Sequence, residues 1–316
     1  MPDTTAPDAH TTPSSVQGID VHVHIATGDG LRALQAEAAG GPTSGGTTTA
    51  TDSARAAAAR AYFGNVRTRV TADEVAEQYR KHNLLAVVFD LDSELQTGRK
   101  ISNDDTAAAV KKHSDVLIGF GTIDPNKGLA AIDEARRCVE VLGLKGFKLH
   151  PAIQRFAPND ERFYPLWDAI SSLKVPALFH TGFSGIGTGM PGGDGIKLRY
   201  TQPLLLDDVA ADFPYLTIIG AHPSWPWQEE MLAIARHKSN VFIDLSGWAP
   251  RYFPPTLVQQ ASTLLQDKCL FGTDFPLIPT DRWLAEFAAL PIKDEARPKI
   301  MLRNAARILG LDHLTG

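Results

Sequence analysis

The sequence predicts a single α/β domain with the fold of a (β/α)8 TIM barrel. Eight short runs of β-branched and aromatic apolar residues are bounded by turn residues, and a longer stretch of helical periodicity follows most of them. The chain has 316 residues, of which 43% are hydrophobic, and parallel barrels of about 250 residues form one domain. The predicted strands cover residues 18–25, 86–91, 115–124, 146–150, 175–182, 216–222, 240–247 and 269–276.

The stretches between these strands carry apolar residues at intervals of three and four, the spacing of one helix face. Alternating strands and helices indicate a parallel sheet, because each helix returns the chain to the end of the sheet at which the preceding strand began. The closing segment ARPKIMLRNAARILGL predicts one more amphipathic helix at the C-terminus, which seals the barrel wall. The helices predicted between strands include residues 72–82, 128–142, 161–173, 228–237, 255–266 and 282–289.

Three segments depart from this rhythm. Residues 1–16 are rich in Pro, Thr, Ser and Asp and predict a disordered tail without a signal peptide, so that the barrel domain covers residues 17–316. Residues 26–70 and 183–204 are long insertions after the first and fifth predicted strands. Loops that follow the C-terminal ends of barrel strands form the active face, so both insertions are candidate lids.

Composition narrows the range of partners. The net charge is −5 and no stripe of Lys or Arg occurs, which argues against a nucleic-acid partner. No apolar run approaches the length of a membrane helix, so a cytoplasmic protein acting on a small molecule is expected. Cys138 and Cys269 lack the spacing of ligands and are expected to be buried. The GTGMPG segment matches a dinucleotide fingerprint only weakly, since no helix is predicted to start there, and no nucleotide cofactor is expected.

Polar residues that bind metals cluster at the predicted strand ends. His22 and His24 lie two residues apart on the first strand, where alternation places both imidazoles on one face. Asp274 ends the eighth strand, which closes against the first, and a buried carboxylate requires a cation or a proton. A divalent metal ion satisfies all three groups, although two hydrogen-bonded core histidines without metal are the alternative for His22 and His24. Further histidines, His150, His180 and His222, end the fourth, fifth and sixth strands.

This combination resembles the amidohydrolase superfamily. The HxH of the first strand, the histidines of the fifth and sixth, the aspartate of the eighth and the closing NAARILGL are similar to the amidohydrolase 2 branch over residues 18–311. That branch contains aminocarboxymuconate semialdehyde decarboxylase, resorcylate-type decarboxylases and several hydrolases. The resemblance implies a homodimer with one divalent ion per chain, Zn²⁺ or alternatively Mn²⁺. It assigns the ion to His22, His24, His180 and Asp274, and leaves His222 to act on the substrate together with Asp274.

Three imidazoles and a carboxylate leave a coordination position open, as catalytic zinc sites do. Metal-activated water attacking an ester, an amide or the C–C bond of a β-keto compound is the first interpretation, and non-oxidative decarboxylation of an aromatic or muconate-type acid is the alternative. The segment from Pro223 to Trp227 replaces a Gly-rich stretch of the decarboxylases and resembles β-ketoacyl-CoA hydrolases of aromatic side-chain degradation, which favours hydrolysis. A binding or regulatory protein that retained the barrel without turnover is the third possibility.

Residues for substrate contact and for a second metal are further candidates. Lys148 lies on one face of the fourth strand with His150, and some members of the superfamily carry there a carbamylated lysine that bridges two metals. One metal is favoured here, with Lys148 as a supporting charge. Aromatic and cationic side chains on the predicted active-face loops suit a planar, anionic substrate, with ordinary loop packing as the alternative for each. These candidates are Arg199, Tyr200, Trp225, Trp248 and Arg251.

Overall fold

The computed structural model describes residues 16–38, 50–64 and 67–315. Its strands are all parallel and follow one another in chain order around a barrel, which confirms the predicted fold class. The predicted tail lies outside the described residues, except for its last position. The strands are β1 Gly18–His24, β2 Leu84–Phe89, β3 in two pieces, Leu117–Gly119 and Gly121–Thr122, β4 Phe147–Leu149, β5 Ala177–His180, β6 Ile218–Ala221, β7 Val241–Asp244 and β8 Cys269–Leu270.

Two junctions close the barrel. The third strand changes partners at Phe120, whose N–H donates to Val88 O on β2 at 3.0 Å, while the next residue pairs toward β4. After β8 the chain runs beside β1, where Val21 N–H donates to Phe271 O at 2.9 Å and His24 N–H donates to Phe275 O at 2.8 Å. The hydrogen-bonded part of the eighth strand is thus shorter than predicted. The residues that follow it pair with β1 and close the barrel.

The buried apolar residues form two clusters on either side of the sheet. The smaller one takes inward residues from almost every strand, such as Val87, Leu178 and Ile219, and includes Ala305 and Ala306 of the C-terminal helix. The larger cluster packs the outer face of the sheet against the helices. On β4 the fully buried Lys148 contacts Phe89 of the smaller cluster, with its Nζ 5.3 Å from the ring centroid. A charged group therefore lies inside the barrel.

The helices agree with the predicted stretches in most places. A capping box starts the helix Ala72–Lys81, where Thr71 Oγ1 accepts from Glu74 N–H and the Glu74 carboxylate accepts from Thr71 N–H. The helix predicted for residues 255–266 ends earlier, and the predicted closing helix begins as a π turn over Lys299–Arg303. The helices are α1 Gly28–Ala38, α2 Ala50–Phe63, α3 Ala72–Lys81, α4 Glu94–Thr97, α5 Asn103–Lys112, α6 Leu129–Glu140, α7 Pro151–Gln154, α8 Tyr164–Ser172, α9 Leu204–Asp212, α10 Gln228–His237, α11 Pro255–Ala261, α12 Thr280–Ala288 and α13 Asn304–Leu309.

Both insertions on the active face differ from the expected loops. The segment after β1 contains α1 and α2, with residues 39–49 and 65–66 outside the described part, and the segment after β5 forms short 3-10 turns before α9. Arg55 of α2 pairs with Asp194 of the second insertion at 2.6 Å, so the two insertions contact each other. Cys138 and Cys269 are buried free thiols, as predicted. Within the described ranges, every helix is too short or too polar to cross a membrane.

Candidate metal centre and active site

Two histidines of β1 and the aspartate after β8 converge at the C-terminal mouth of the barrel. His22 Nε2 lies 3.4 Å and His24 Nε2 3.0 Å from Asp274 Oδ1. Two ligands bound tetrahedrally at about 2.0–2.1 Å from a zinc-like ion are separated by roughly 3.3 Å, so these spacings fit a shared ion. We call His22, His24 and Asp274 the metal triad. It is open on one side, since the His24 side chain is 33% exposed.

The backbone places Asp274 opposite β1. Asp274 has a φ of 66°, a left-handed conformation that non-glycine residues rarely adopt, and its N–H donates to His22 O at 3.0 Å. This turn directs the carboxylate toward the two imidazoles. Although burial raises the pKa of Asp274, its interactions with the neighbouring imidazoles of His22, His24 and His222 together hold it well below its usual range. The carboxylate is therefore ionised and suited to bind a cation.

The other ring nitrogen of His22 faces the end of β7. His22 Nδ1 lies 2.6 Å from Asp244 Oδ2 and 3.0 Å from Ser246 Oγ. Ligand atoms of His22, His222 and Asp244 also lie close enough to one another for a metal. Ser246 Oγ, however, is within 2.7 to 3.0 Å of all three atoms and occupies the place that such an ion would take. The buried Nδ1 side is thus a hydrogen-bonded support for the metal triad.

His222 lies beside the metal triad. Its ring centroid is 4.8 Å from that of His22, and its Nε2 is 4.0 Å from Asp274 Oδ2. Its Nδ1 lies 2.7 Å from Ser246 Oγ. Burial lowers the pKa of His222 well below its usual value, because the charge of Asp274 offsets only part of the desolvation. The structure therefore holds a neutral imidazole at the edge of the predicted metal site.

His180, the fourth predicted ligand, is in the same mouth but outside the close cluster of ligand atoms. Its ring stacks on His150 with centroids 3.9 Å apart and planes within 9°, and it contacts His222 edge-on at 4.9 Å. His180 Nε2 lies 3.3 Å from the carbonyl oxygen of Phe183. To bind the ion through Nε2, His180 would have to turn this nitrogen away from that carbonyl. Its role as a ligand stays a prediction.

Lys148 is closer to the metal triad than a remote supporting charge would be. Its Nζ lies 3.2 Å from His22 Nε2, the nitrogen that faces Asp274. Burial lowers the pKa of Lys148 to about 8, and the nearby charges of Asp274 and Asp244 oppose that change. A neutral amine at this position is accessible near physiological pH. The number of metal ions, one or two, stays a prediction.

Among the predicted substrate contacts, the structure brings the two tryptophans together. Trp225 packs against Phe183 with ring centroids 5.6 Å apart and against Trp248 at 6.0 Å. Phe183 follows His180 and Trp225 follows His222 on the active-face loops. We call Phe183, Trp225 and Trp248 the aromatic wall. It extends to α2 through Tyr62, whose ring is 5.8 Å from Phe183.

The predicted cationic contacts are engaged elsewhere. Arg199 lies over its neighbour Tyr200, with the guanidinium 5.1 Å from the ring centroid. Arg251 lies over Tyr252 at 4.7 Å, and its Nε is 3.7 Å from Glu286 Oε1 on α12. Both arginines are exposed. In the described part of the chain, neither forms a hydrogen bond, ion pair or ring contact with the histidines of the mouth, so their substrate role stays a prediction.

Two site residues were not identified from the sequence: Asp244 and Ser246. Both lie at the end of the seventh predicted strand, in the segment NVFIDLSG. Their spacing of two, which puts side chains on one face of a strand, is the same signal that identified His22 and His24. A carboxylate that hydrogen-bonds the second nitrogen of a metal-binding histidine is a common support for such sites.

The close packing around His222 gives a first testable prediction. Gly247 has a φ of 74°, and a Cβ there would overlap the His222 ring. Gly143 has a φ of 71° with nothing within 4 Å of its Cβ position, so Gly143→Ala is a matched control for backbone strain. We expect Gly143→Ala to lower the free energy of unfolding by about 1 kcal/mol and Gly247→Ala by about 3 kcal/mol because overpacking adds to the strain. Chemical denaturation measures both; equal losses would show that the ring yields freely.

The fold and the site together define a metal-dependent (β/α)8-barrel enzyme. Residues 19–311 match the amidohydrolase family, and the chain belongs to that family. This membership confirms the resemblance inferred from the histidine and aspartate pattern. The ligand set supports a divalent metal ion, in agreement with the expected cofactor class.

Relatives extend the comparison over most of the chain. Over 251 residues it is 24% identical to the γ-resorcylate decarboxylase of a Rhizobium species, covering 67% of this chain and 75% of the relative. An uncharacterised TIM-barrel protein of Bordetella bronchiseptica superposes with a TM-score of 0.70 at 24% identity, covering 94% and 99% of the two chains. A 5-carboxyvanillate decarboxylase of Novosphingobium aromaticivorans, complexed with manganese and a nitrobenzoic acid, superposes with a TM-score of 0.65 at 16% identity, covering 97% and 100%.

Proposed function

We propose that the chain is a divalent-metal-dependent decarboxylase that removes a carboxylate from an aromatic acid. The observation that carries the proposal is the aromatic wall on the active-face loops that follow His180 and His222, which together with the metal triad offers an apolar aromatic surface and a cation site. The relatives support this reaction class, since two of them are decarboxylases of the carboxylated phenols γ-resorcylate and 5-carboxyvanillate.

Hydrolysis, the first interpretation of the sequence, has weaker support than this alternative. It depends on the segment from Pro223 to Trp227, which departs from the Gly-rich stretch of the decarboxylases. In the structure Trp225 of this segment is the central ring of the aromatic wall. The segment therefore supplies a surface for an aromatic substrate, and this role does not require water activation.

The residues of the mouth fit the steps of decarboxylation. The metal triad would hold a divalent ion, whose positive charge would offset the negative charge of the anionic substrate. Asp274 and His222, with Oδ2 and Nε2 4.0 Å apart, take up one proton from water and deliver it to the ring carbon in place of the carboxyl group. The electron pair of the breaking C–C bond stays on the ring carbon and takes up this proton, and carbon dioxide leaves. The aromatic wall packs against the ring of the substrate and orients its plane.

A product analysis tests the proposal. Protein loaded with Zn²⁺ or with Mn²⁺ is incubated with γ-resorcylate, 5-carboxyvanillate, aryl esters and aromatic β-keto thioesters, in heavy water and in water labelled with the heavy oxygen isotope. We expect carbon dioxide release and one deuterium on the ring of the product. Heavy oxygen in a new carboxylate, without release of carbon dioxide, would show hydrolysis instead. Apo-protein prepared with a chelator is the control, and it should leave every substrate unchanged.

A further inference from the structure

The end of β7 carries a buried carboxylate and a buried hydroxyl that connect the metal triad to His222. Asp244 Oδ2 lies 2.6 Å from His22 Nδ1 and 2.7 Å from Ser246 Oγ. Ser246 Oγ lies 2.7 Å from His222 Nδ1, and Ser246 N–H donates to Asp244 Oδ1 at 2.9 Å. The side chains of Asp244 and Ser246 are fully buried. One carboxylate thus reaches two imidazoles, the first directly and the second through a hydroxyl.

The chemistry of these groups fixes where the protons lie. Burial raises the pKa of Asp244 to about 7, so above that pH its side chain is an ionised carboxylate, which only accepts hydrogen bonds, whereas a hydroxyl donates one and accepts others. Ser246 Oγ–H therefore donates to Asp244 Oδ2, and its lone pairs accept from imidazole N–H. His222 then carries its ring proton on Nδ1, and its unprotonated Nε2 faces Asp274. In the same way His22 donates from Nδ1 to Asp244. This leaves the lone pair of His22 Nε2 free to bind the ion that the metal triad shares.

We propose that Asp244 and Ser246 are positioning residues that set the tautomer of His22 and His222 together, so that the metal-facing nitrogen of one and the substrate-facing nitrogen of the other are both unprotonated. The inference rests on the proposed function where it assigns His222 to the substrate. The hydrogen-bond network itself involves only residues of this chain, so it can be tested without turnover.

The surrounding backbone leaves these side chains little freedom. A Cβ at Gly272 would overlap the Asp244 carboxylate, and a Cβ at Gly247 would overlap the His222 ring. Glycine at these two positions thus allows the backbone to approach the network closely. Because Gly247 packs closely against the His222 ring, removal of the Ser246 hydroxyl is expected to change the proton position on His222 more than the place of its ring.

The nitrogen shifts of the imidazoles report the tautomers directly. The full-length protein, labelled with ¹⁵N in histidine and loaded with Zn²⁺, is studied by NMR as wild type, Ser246→Ala, Ser246→Thr and Asp244→Asn, and His222→Gln identifies the His222 signals. We expect Nδ1–H for His222 in the wild type, a mixture of tautomers in Ser246→Ala, and recovery of Nδ1–H in Ser246→Thr. Ser262→Ala is the matched control, because Ser262 is also buried but its hydroxyl accepts from Lys293 N–H.

Metal affinity and kinetics separate the two residues. Asp244→Asn is expected to weaken Zn²⁺ binding about 10- to 100-fold through His22, while Ser246→Ala leaves Zn²⁺ binding within about threefold of the wild type. With an aromatic acid that the protein turns over, Ser246→Ala lowers kcat about 10- to 100-fold and changes KM little, because the ring stays in place.

Two results would overturn the inference. One is an unchanged Nδ1–H signal of His222 in Ser246→Ala, and the other is equal loss of Zn²⁺ affinity in Ser246→Ala and Asp244→Asn. Failure of the proposed function is a different outcome: no aromatic acid loses carbon dioxide, yet the tautomer and metal measurements follow the expected pattern. The tautomers, measured by NMR without substrate, therefore test the positioning role of Asp244 and Ser246. The product analysis tests the proposed decarboxylation separately.

Discussion

Replacing Asp274 with asparagine is expected to abolish tight binding of the divalent ion and to lower turnover by about 10³-fold or more. The reason is that this carboxylate has two functions. Its Oδ1 lies between His22 Nε2 and His24 Nε2, at 3.4 and 3.0 Å, and its Oδ2 faces His222 Nε2 at 4.0 Å. An amide retains the shape but loses both the negative charge and the capacity to exchange a proton.

Two measurements report the effect: metal content by elemental analysis, and initial rates with an aromatic acid that the wild-type protein decarboxylates. Asp133→Asn on the exposed face of α6 is the control and should change neither. His24→Ala is expected to lose metal as well, but added Mn²⁺ or Zn²⁺ should restore part of its turnover, because the Asp274–His222 pair remains. If Asp274→Asn kept its metal content and its rate, Asp274 would be neither a ligand nor a proton carrier.

The sequence predicted the barrel and the metal triad because both follow from short-range rules. Strands alternate with helices along the whole chain, and the alternation of side chains on β1 places His22 and His24 together. Closure of the barrel then brings Asp274 beside β1, although 250 residues separate it from His24. Local periodicity, combined with the rule that the last strand of a barrel lies beside the first, is therefore sufficient to predict where His22, His24 and Asp274 lie.

Other parts of the site depend on contacts that no local pattern reveals. The pairing of Arg251 with Glu286 and the hydrogen bond of His180 with the Phe183 carbonyl follow from how loops fold back on the barrel. Asp244 reaches His22 across the barrel mouth. Pairs of this kind require the three-dimensional arrangement of distant segments, since each residue alone is compatible with a solvated loop or an ordinary core position.

The early part of β1 also carries a structural carboxylate, and Asp20→Ala is expected to lower the free energy of unfolding by about 4 kcal/mol. Asp20 Oδ2 accepts from Tyr79 Oη and Thr273 Oγ1, each at 2.6 Å, and its Oδ1 accepts from the N–H groups of Thr273 and His22, each at 3.0 Å. Alanine leaves these four buried donors without that partner at the seam where the chain after β8 closes against β1.

Urea denaturation of the metal-free protein measures this effect apart from metal binding, with the exposed Asp168→Ala on α8 as control. Asp20→Asn keeps the size of the side chain but removes its charge. The amide retains one accepting oxygen, and its N–H₂ group faces two of the donors that the carboxylate accepted from. We expect its loss to be about half that of Asp20→Ala. A loss below about 1 kcal/mol for Asp20→Ala would mean that water replaces the carboxylate at the seam. In that case closure of the barrel would depend on the backbone bonds between β1 and the chain after β8.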